Sequence, residues 1–384
     1  MRSIVWLALI SMVILSIIFA CSPKVTPTSS LSTPAPIAAP RVVPTTSPED
    51  ATWQKVVEAA KKEGTVTLYS FAFTGDVGGI IGRTFEDKYG IKLDFVTGIG
   101  TTLMERIKTE QRAQKFIADT LDTSTSFVAL AKDDGLTISM GALPNLREKD
   151  AWALAPPTVD TEGHLITTRP ATYPSYINTN LVKSGEQPRS YRELLDPQWR
   201  GGKVTIGSPI TDPIPIYVYL TTRKAGVLDD DFWRRLGRQE LKVSPSVREP
   251  GLWLARGEAA LSFSSSEPNV ASYIKEGAAI KAIEMAEGVT INPYSNSISL
   301  IKNGAHPNAA RVFVNWLLSQ EGQQIYAQSV GGFVPLRRDV PDIRPINMRI
   351  EMKKPLIVGL PLILETARLQ REGTLAKLLG IETK

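Results

Sequence analysis

The stretch RGEAALSFSSSEPNVASY, residues 256–273, leaves an apolar strand and reaches three consecutive hydroxyls, Ser264, Ser265 and Ser266. Serine is a weak metal ligand and a good donor to the oxygens of a carboxylate, phosphate or phosphonate. Such a run either turns a surface loop or lines a cleft. Similar groups recur upstream: Ser70 and Thr74 in YSFAFTG, Gly100, Thr101 and Thr102 in VTGIGTT, Thr123 and Ser124 in LDTSTS. In SPITD, Ser208 and Asp212 either cap the run that follows or face a ligand. The usual reagents of hydrolysis are scarce. The chain has one cysteine, Cys21, and two histidines, His164 and His306. The folded part therefore holds no disulfide, thiolate metal site or cysteine nucleophile, and any serine triad depends on one of two histidines. His306, in NGAHPNAARVF, reads as part of a helix entry. On these residues an enzyme is not excluded, but its usual reagents are nearly absent; the expectation adopted for the chain is no enzymatic activity, no cofactor and no metal.

The residues between these groups carry the marks of the elements that hold them. Ser47-Pro48-Glu49-Asp50 supplies a cap, a first-position proline and first-turn acids. Trp53, Val56, Val57 and Ala60 follow at helical spacing, and Gly64 ends the helix. TVTLYS (65–70), IKLDFVTG (91–98) and FIADTLDTS (116–124) read as strands, each followed by a helical pattern. Alternation of this kind predicts an α/β fold whose mostly parallel sheet is covered on both faces. Ligands of such sheets bind beyond the carboxyl ends of the strands, where the hydroxyl clusters fall. Helix N-termini there add amide donors and a positive dipole end; ordinary helix capping is the competing explanation. Val312, Phe313, Trp316 and Leu317 share one face of a helix entered at Pro307, which is core.

Arg2 followed by an apolar run from Ile4 to Ala20 has the form of a secretory signal, and IFAC that of a lipobox acylated at Cys21. An uncleaved anchor is the alternative. Residues 22–49 are rich in Pro, Ser, Thr and Ala, the composition of an extended tether. The expected location is the cell envelope, with the body lipid-anchored on the outer side of the cytoplasmic membrane. The net charge of +5 is spread among acids, and no basic block is interleaved with aromatics, so a nucleic-acid partner is not expected.

The order TLYS, FEDKYGIKLDFVTGIGTTLMERIKTEQ, ADTLDTS, YPSYINTNLV, SYRELLDPQWRGGKVTIGSPITD, LARGEAALSF and AHPNAARVFVNWLLSQEGQQIYAQ resembles a known family. It is similar to the extracellular solute-binding lipoproteins of ABC importers, in the ferric-iron-like branch of the type 2 periplasmic-binding fold. LDPQWRGGKV and HPNAARVFVNWLLSQEGQQ are its most specific segments. The resemblance implies two lobes, each a mixed sheet flanked by helices, joined by two crossing strands near 171–179 and 284–300. It divides the chain into a signal (1–20), a tether (21–49), the first part of lobe one (50–165), lobe two (166–288), and the return to lobe one with the C-terminal helices (289–384). It also implies a monomer that closes on a small solute by hinge motion and delivers it to an importer permease.

Iron binders of that branch use an adjacent tyrosine pair after the GE strand, since a hard cation prefers anionic oxygens. This chain has no adjacent tyrosines, and the matching place holds Ser264-Ser265-Ser266-Glu267. The expected solute is therefore an anionic organic compound or an oxyanion, held by the hydroxyls above. Arg169 in TTRPATYPSY is the expected counter-charge, a fork suited to carboxylate or phosphoryl oxygens; its alternative role is a solvated hinge residue paired with a surface acid. Tyr69, Tyr173, Tyr176 and Tyr294, as separate phenols, keep ferric iron as an alternative. A secreted hydrolase using His164, and a sensor or adhesin on the same scaffold, are the further alternatives.

Overall fold

The computed structural model describes residues 48–382. The expected signal, Cys21 and all but the end of the tether lie outside them. Helix α1 (Pro48–Glu63) opens on Glu49 and Asp50 and closes on Lys61 and Lys62, which complement its dipole. Strand β1 (Thr65–Ser70), helix α2 (Gly75–Tyr89), strand β2 (Lys92–Thr97), helix α3 (Gly100–Arg112), strand β3 (Thr120–Ser124) and helix α4 (Thr125–Asp133) follow in the expected alternation. Strand β1 runs parallel to both β2 and β3. After β4 (Thr137–Ile138) comes β5 (Ile166–Tyr173), and Pro174 carries the chain out of the first sheet.

The second sheet is built from β6 (Ser175–Asn178), β7 (Val204–Gly207), β8 (Lys242–Ser244), β9 (Leu261–Ser262) and β10 (Ile280–Ile283), in the order β10-β6-β9-β7-β8. Helices α5 (Ile214–Lys224), α6 (Asp230–Gly237), α7 (Glu249–Ala255) and α8 (Pro268–Lys275) lie between these strands in sequence. The long β11 (Val289–Ile301) then returns to the first sheet, antiparallel to β3 and β5. Helices α9 (Pro307–Leu317) and α10 (Gln320–Val330), strand β12 (Pro355–Ile357) and helices α11 (Leu360–Glu372) and α12 (Thr374–Leu379) complete the chain. The first sheet reads β12-β11-β3-β1-β2, with β4 and β5 also paired to β11. Two mixed sheets flanked by helices and linked through β5–β6 and β10–β11 make a two-lobed α/β protein.

Each lobe has its own core. In the first, Phe85 meets Phe313 edge-on at 5.2 Å and Trp316 at 5.4 Å, so the apolar face of α9 is core as expected. In the second, Trp233 meets Phe263 at 5.3 Å, beside Trp199 and Leu236. The C-terminal helices depart from the sequence-based division. Leu362, Ile363 and Leu369 of α11 and Leu375 and Leu379 of α12 belong to the second core, with α12 on α6 and α11 packed on both α5 of the second lobe and α4 of the first. Met348 likewise packs with Tyr176, Leu254 and Val270 of the second lobe. An amphipathic pattern states that a face is buried, not against which lobe.

Candidate functional site

A cleft of about 1450 Å³ opens between the two lobes. Its floor comes from the crossing strands: Arg169 and Tyr173 on β5, Ser295 and Asn296 on β11. The register of β11 against β5 shifts between Asn292 and Asn296. An irregularity of this kind re-aims neighbouring side chains, and here it brings Ser295 and Asn296 to the floor.

Arg169 is 6% exposed, and its Nη2 donates to Asn296 Oδ1 at 2.8 Å. Its Nε has no hydrogen-bond partner, and among the described residues it forms no salt bridge. The aliphatic-aromatic side of its setting is Phe333, whose ring centre is 5.6 Å from the guanidinium carbon. Below it Asp122 accepts from Ser70 Oγ at 2.7 Å and Thr168 Oγ1 at 3.0 Å. Burial pushes the Asp122 carboxyl up to about 6, against those hydroxyls and the charge of Arg169. With Nε unpaired and no bonded carboxylate, this guanidinium has hydrogen-bonding capacity to spare beyond its bond to Asn296.

Across the floor, Tyr173 stacks on Tyr217 at 5.8 Å and shares a 3.2 Å hydrogen bond with Ser295 Oγ. Burial pushes the Tyr173 phenol up to about 12 and that of Tyr217 further upward. Asp212, 3% exposed, accepts the Ile214 N–H on Oδ1 at 2.9 Å, so it serves the start of α5 and lines the cleft at once. Burial pushes its carboxyl up to about 7. Gly207 makes room for it: a Cβ there would lie 2.1 Å from Asp212 Oδ2.

Of the residues expected at the site, Thr74, Gly100, Thr101, Thr123, Ser124, Arg169, Asp212 and Ser266 line this cleft. The others do not. Ser70 is buried on Asp122, and Thr102 is exposed on α3 outside the lining. The Ser208 hydroxyl accepts the Ile210 N–H at 3.3 Å within its own loop. Ser264 is buried, and Ser265 turns inward to share a 2.6 Å bond with Ser262 Oγ across the turn that leaves β9. Tyr176 lies in the second-lobe interior, and Tyr294, half-buried against the second core, is outside the cleft lining. Tyr69 bonds Glu110 at 2.5 Å, outside the lining.

Neither histidine lines the cleft: His164 pairs with Thr137 Oγ1 at 2.8 Å, and His306 with Asp119 at 2.9 Å at the entry to α9. Among the described residues no group of three or more His, Cys, Asp or Glu side chains could hold a metal ion, and no helix is long and apolar enough to cross a membrane. Sequence reasoning missed Phe71, Ile99, Ile210, Tyr217, Ser295 and Asn296. Ile99 and Ile210 carried a signal, each a large apolar residue among small, polar or turn residues in TGIGTT and SPITD. The last two depend on the irregularity in β11, which no local pattern announces.

This chain belongs to the bacterial extracellular solute-binding proteins, whose family model matches residues 76–329. That family binds solutes rather than transforming them. Solved structures place the fold in the two-lobed periplasmic-binding class. Iron-bound HitA from Pseudomonas aeruginosa is 20% identical, covers 80% of this chain and 98% of its own, and has a TM-score of 0.64. AfuA from Actinobacillus pleuropneumoniae, solved with fructose-6-phosphate, is 18% identical over 83% and 98%, with a TM-score of 0.65. A periplasmic thiamin-binding protein is 17% identical over 82% and 95%, with a TM-score of 0.63. An uncharacterized protein of Haemophilus influenzae is 24% identical over 63% of this chain and 70% of its own.

Proposed function

We propose that this chain is the solute-binding component of an ABC importer, tethered to the membrane through acylated Cys21, and that it captures a small anionic solute in the interlobe cleft for delivery to the permease. The observation that carries the reading is Arg169: a buried guanidinium on the cleft floor with an unused Nε and no salt bridge among the described residues. Asn296 is bonded to it, and Ser295, Ser124, Ser266 and Thr123 line the same cleft and offer neutral donors there. The lobes close by bending at the crossing strands, and the permease reads the closed form. Titration of the purified chain with organic and inorganic anions tests this, with native mass spectrometry for a solute that copurifies. A chain that binds no anion and is not thermally stabilised by any sinks the reading.

Ferric iron is the second reading. It draws on the stacked Tyr173 and Tyr217 with Asp212 in the same cleft, three oxygen donors of the hard kind. The positive charge of Arg169 and the upward-pushed phenols weigh for the anion. Addition of Fe(III), followed by a visible phenolate-to-iron absorption, separates the two.

A further inference from the structure

Resting on the reading of Arg169 as the anion anchor, we propose that the solute is an organic acid with an aromatic or branched apolar body. The acid group lies on Arg169, and the body lies between Phe71 and Ile99 of the first lobe and Ile210 and Tyr273 of the second. Three observations carry this. The cleft of about 1450 Å³ is larger than the roughly 300–1,000 Å³ typical of pockets that enclose drug-sized ligands, so a bare oxyanion leaves most of it to water. Its walls hold large apolar side chains that meet solvent: Phe71 is 37% exposed, Ile99 60% and Ile210 37%. Apolar surface kept in contact with water inside a concave site marks a place where an apolar partner is bound.

The third observation is the position of Ile99. It is the N-cap residue of α3, with extended backbone at φ −77° and ψ 152° and no side-chain capping bond. Ser, Thr, Asp or Asn is the favoured choice at that position, and an aliphatic residue there leaves first-turn N–H groups without a cap. Thr74 and Ser124, at the starts of α2 and α4, also make no side-chain capping bond, so what sets this position apart is the isoleucine itself, 60% exposed at the mouth of the cleft. Departures from local preference with no structural return concentrate at functional sites. Gly100, the next residue, admits the Phe127 ring, whose Cδ2 would lie 2.4 Å from a Cβ, and so extends the same apolar wall.

The test is calorimetric titration of the purified chain with benzoate, phenylphosphonate and isovalerate, against acetate, inorganic phosphate and sulfate. The expected result is binding of the apolar acids at least about tenfold tighter than their small counterparts. Ile99→Ser, which supplies the missing cap, is expected to keep or raise the melting temperature while lowering that preference several-fold. Equal affinity for the apolar and small anions overturns this inference but leaves the anion site standing; the apolar rims then meet each other when the lobes close. A preference unchanged in Ile99→Ser overturns the placement of the body at that wall. Binding of Fe(III) alone, or of no anion at all, overturns both this inference and the reading beneath it.

Discussion

At the scale of residues, the cleft holds a carboxyl whose titration reports its burial. Burial pushes Asp212 up to about 7, well above the ordinary aspartate range near 4. Between those two values the folded chain keeps a proton that the unfolded chain has released, so this group makes stability fall as pH rises through that window. Asp212→Asn retains an oxygen for the Ile214 N–H and removes the titration. Its unfolding free energy relative to the parent is expected to improve between pH 5 and pH 8, as measured by urea denaturation; a difference that does not change with pH contradicts the assignment. The serine run divides in the same way. Ser265→Ala is expected to cost about 1–3 kcal/mol, because it leaves the buried Ser262 hydroxyl without its partner, and to leave solute affinity unchanged. Ser266→Ala is expected to weaken binding with little effect on the melting temperature. The chemistry of SSS was legible in the sequence, but which hydroxyl faces the cleft was not, because that is fixed by the turn out of β9.

At the scale of elements, the segment after α10 is clasped to the second lobe by a buried ion pair. Arg344 Nη1 donates to Glu267, while Arg344 Nη2 donates to Asp342 at 2.8 Å and Glu267 accepts the Thr172 hydroxyl at 2.5 Å. Burial pushes the Glu267 carboxyl up, and the charge of Arg344 opposes it. Removing one partner of such a pair leaves an uncompensated buried charge. Arg344→Met is expected to lose about 3–5 kcal/mol in denaturant unfolding, and the double variant with Glu267→Gln to recover part of that loss. Strictly additive effects contradict the coupling. The early strand–helix alternation was plain from periodicity, since each unit buries its own apolar face nearby. The clasp and the docking of α11 and α12 on the second lobe join residues far apart in sequence, and local patterns carry no information about such partners.

At the scale of the whole molecule, two lobes share a floor made of crossing strands, so a solute that touches both lobes favours the closed arrangement by its differential affinity. Small-angle scattering is expected to show a smaller radius of gyration with a bound solute, and no change for Arg169→Gln at the same concentration. The two-lobed plan was implied by the family resemblance that the motifs carry, whereas the shape of the cleft depends on the shifted register of β11 and on exposed apolar residues in its walls. The central claim is that an anion binds at Arg169. Calorimetric titration of the parent chain and Arg169→Gln with the same anion panel tests it most directly, with circular dichroism showing both folded. The account predicts one site in the parent chain and a loss of about tenfold or more in the variant, the effect of a charged hydrogen bond. Equal affinity in the two chains, or a site that takes Fe(III) and no anion, would contradict it.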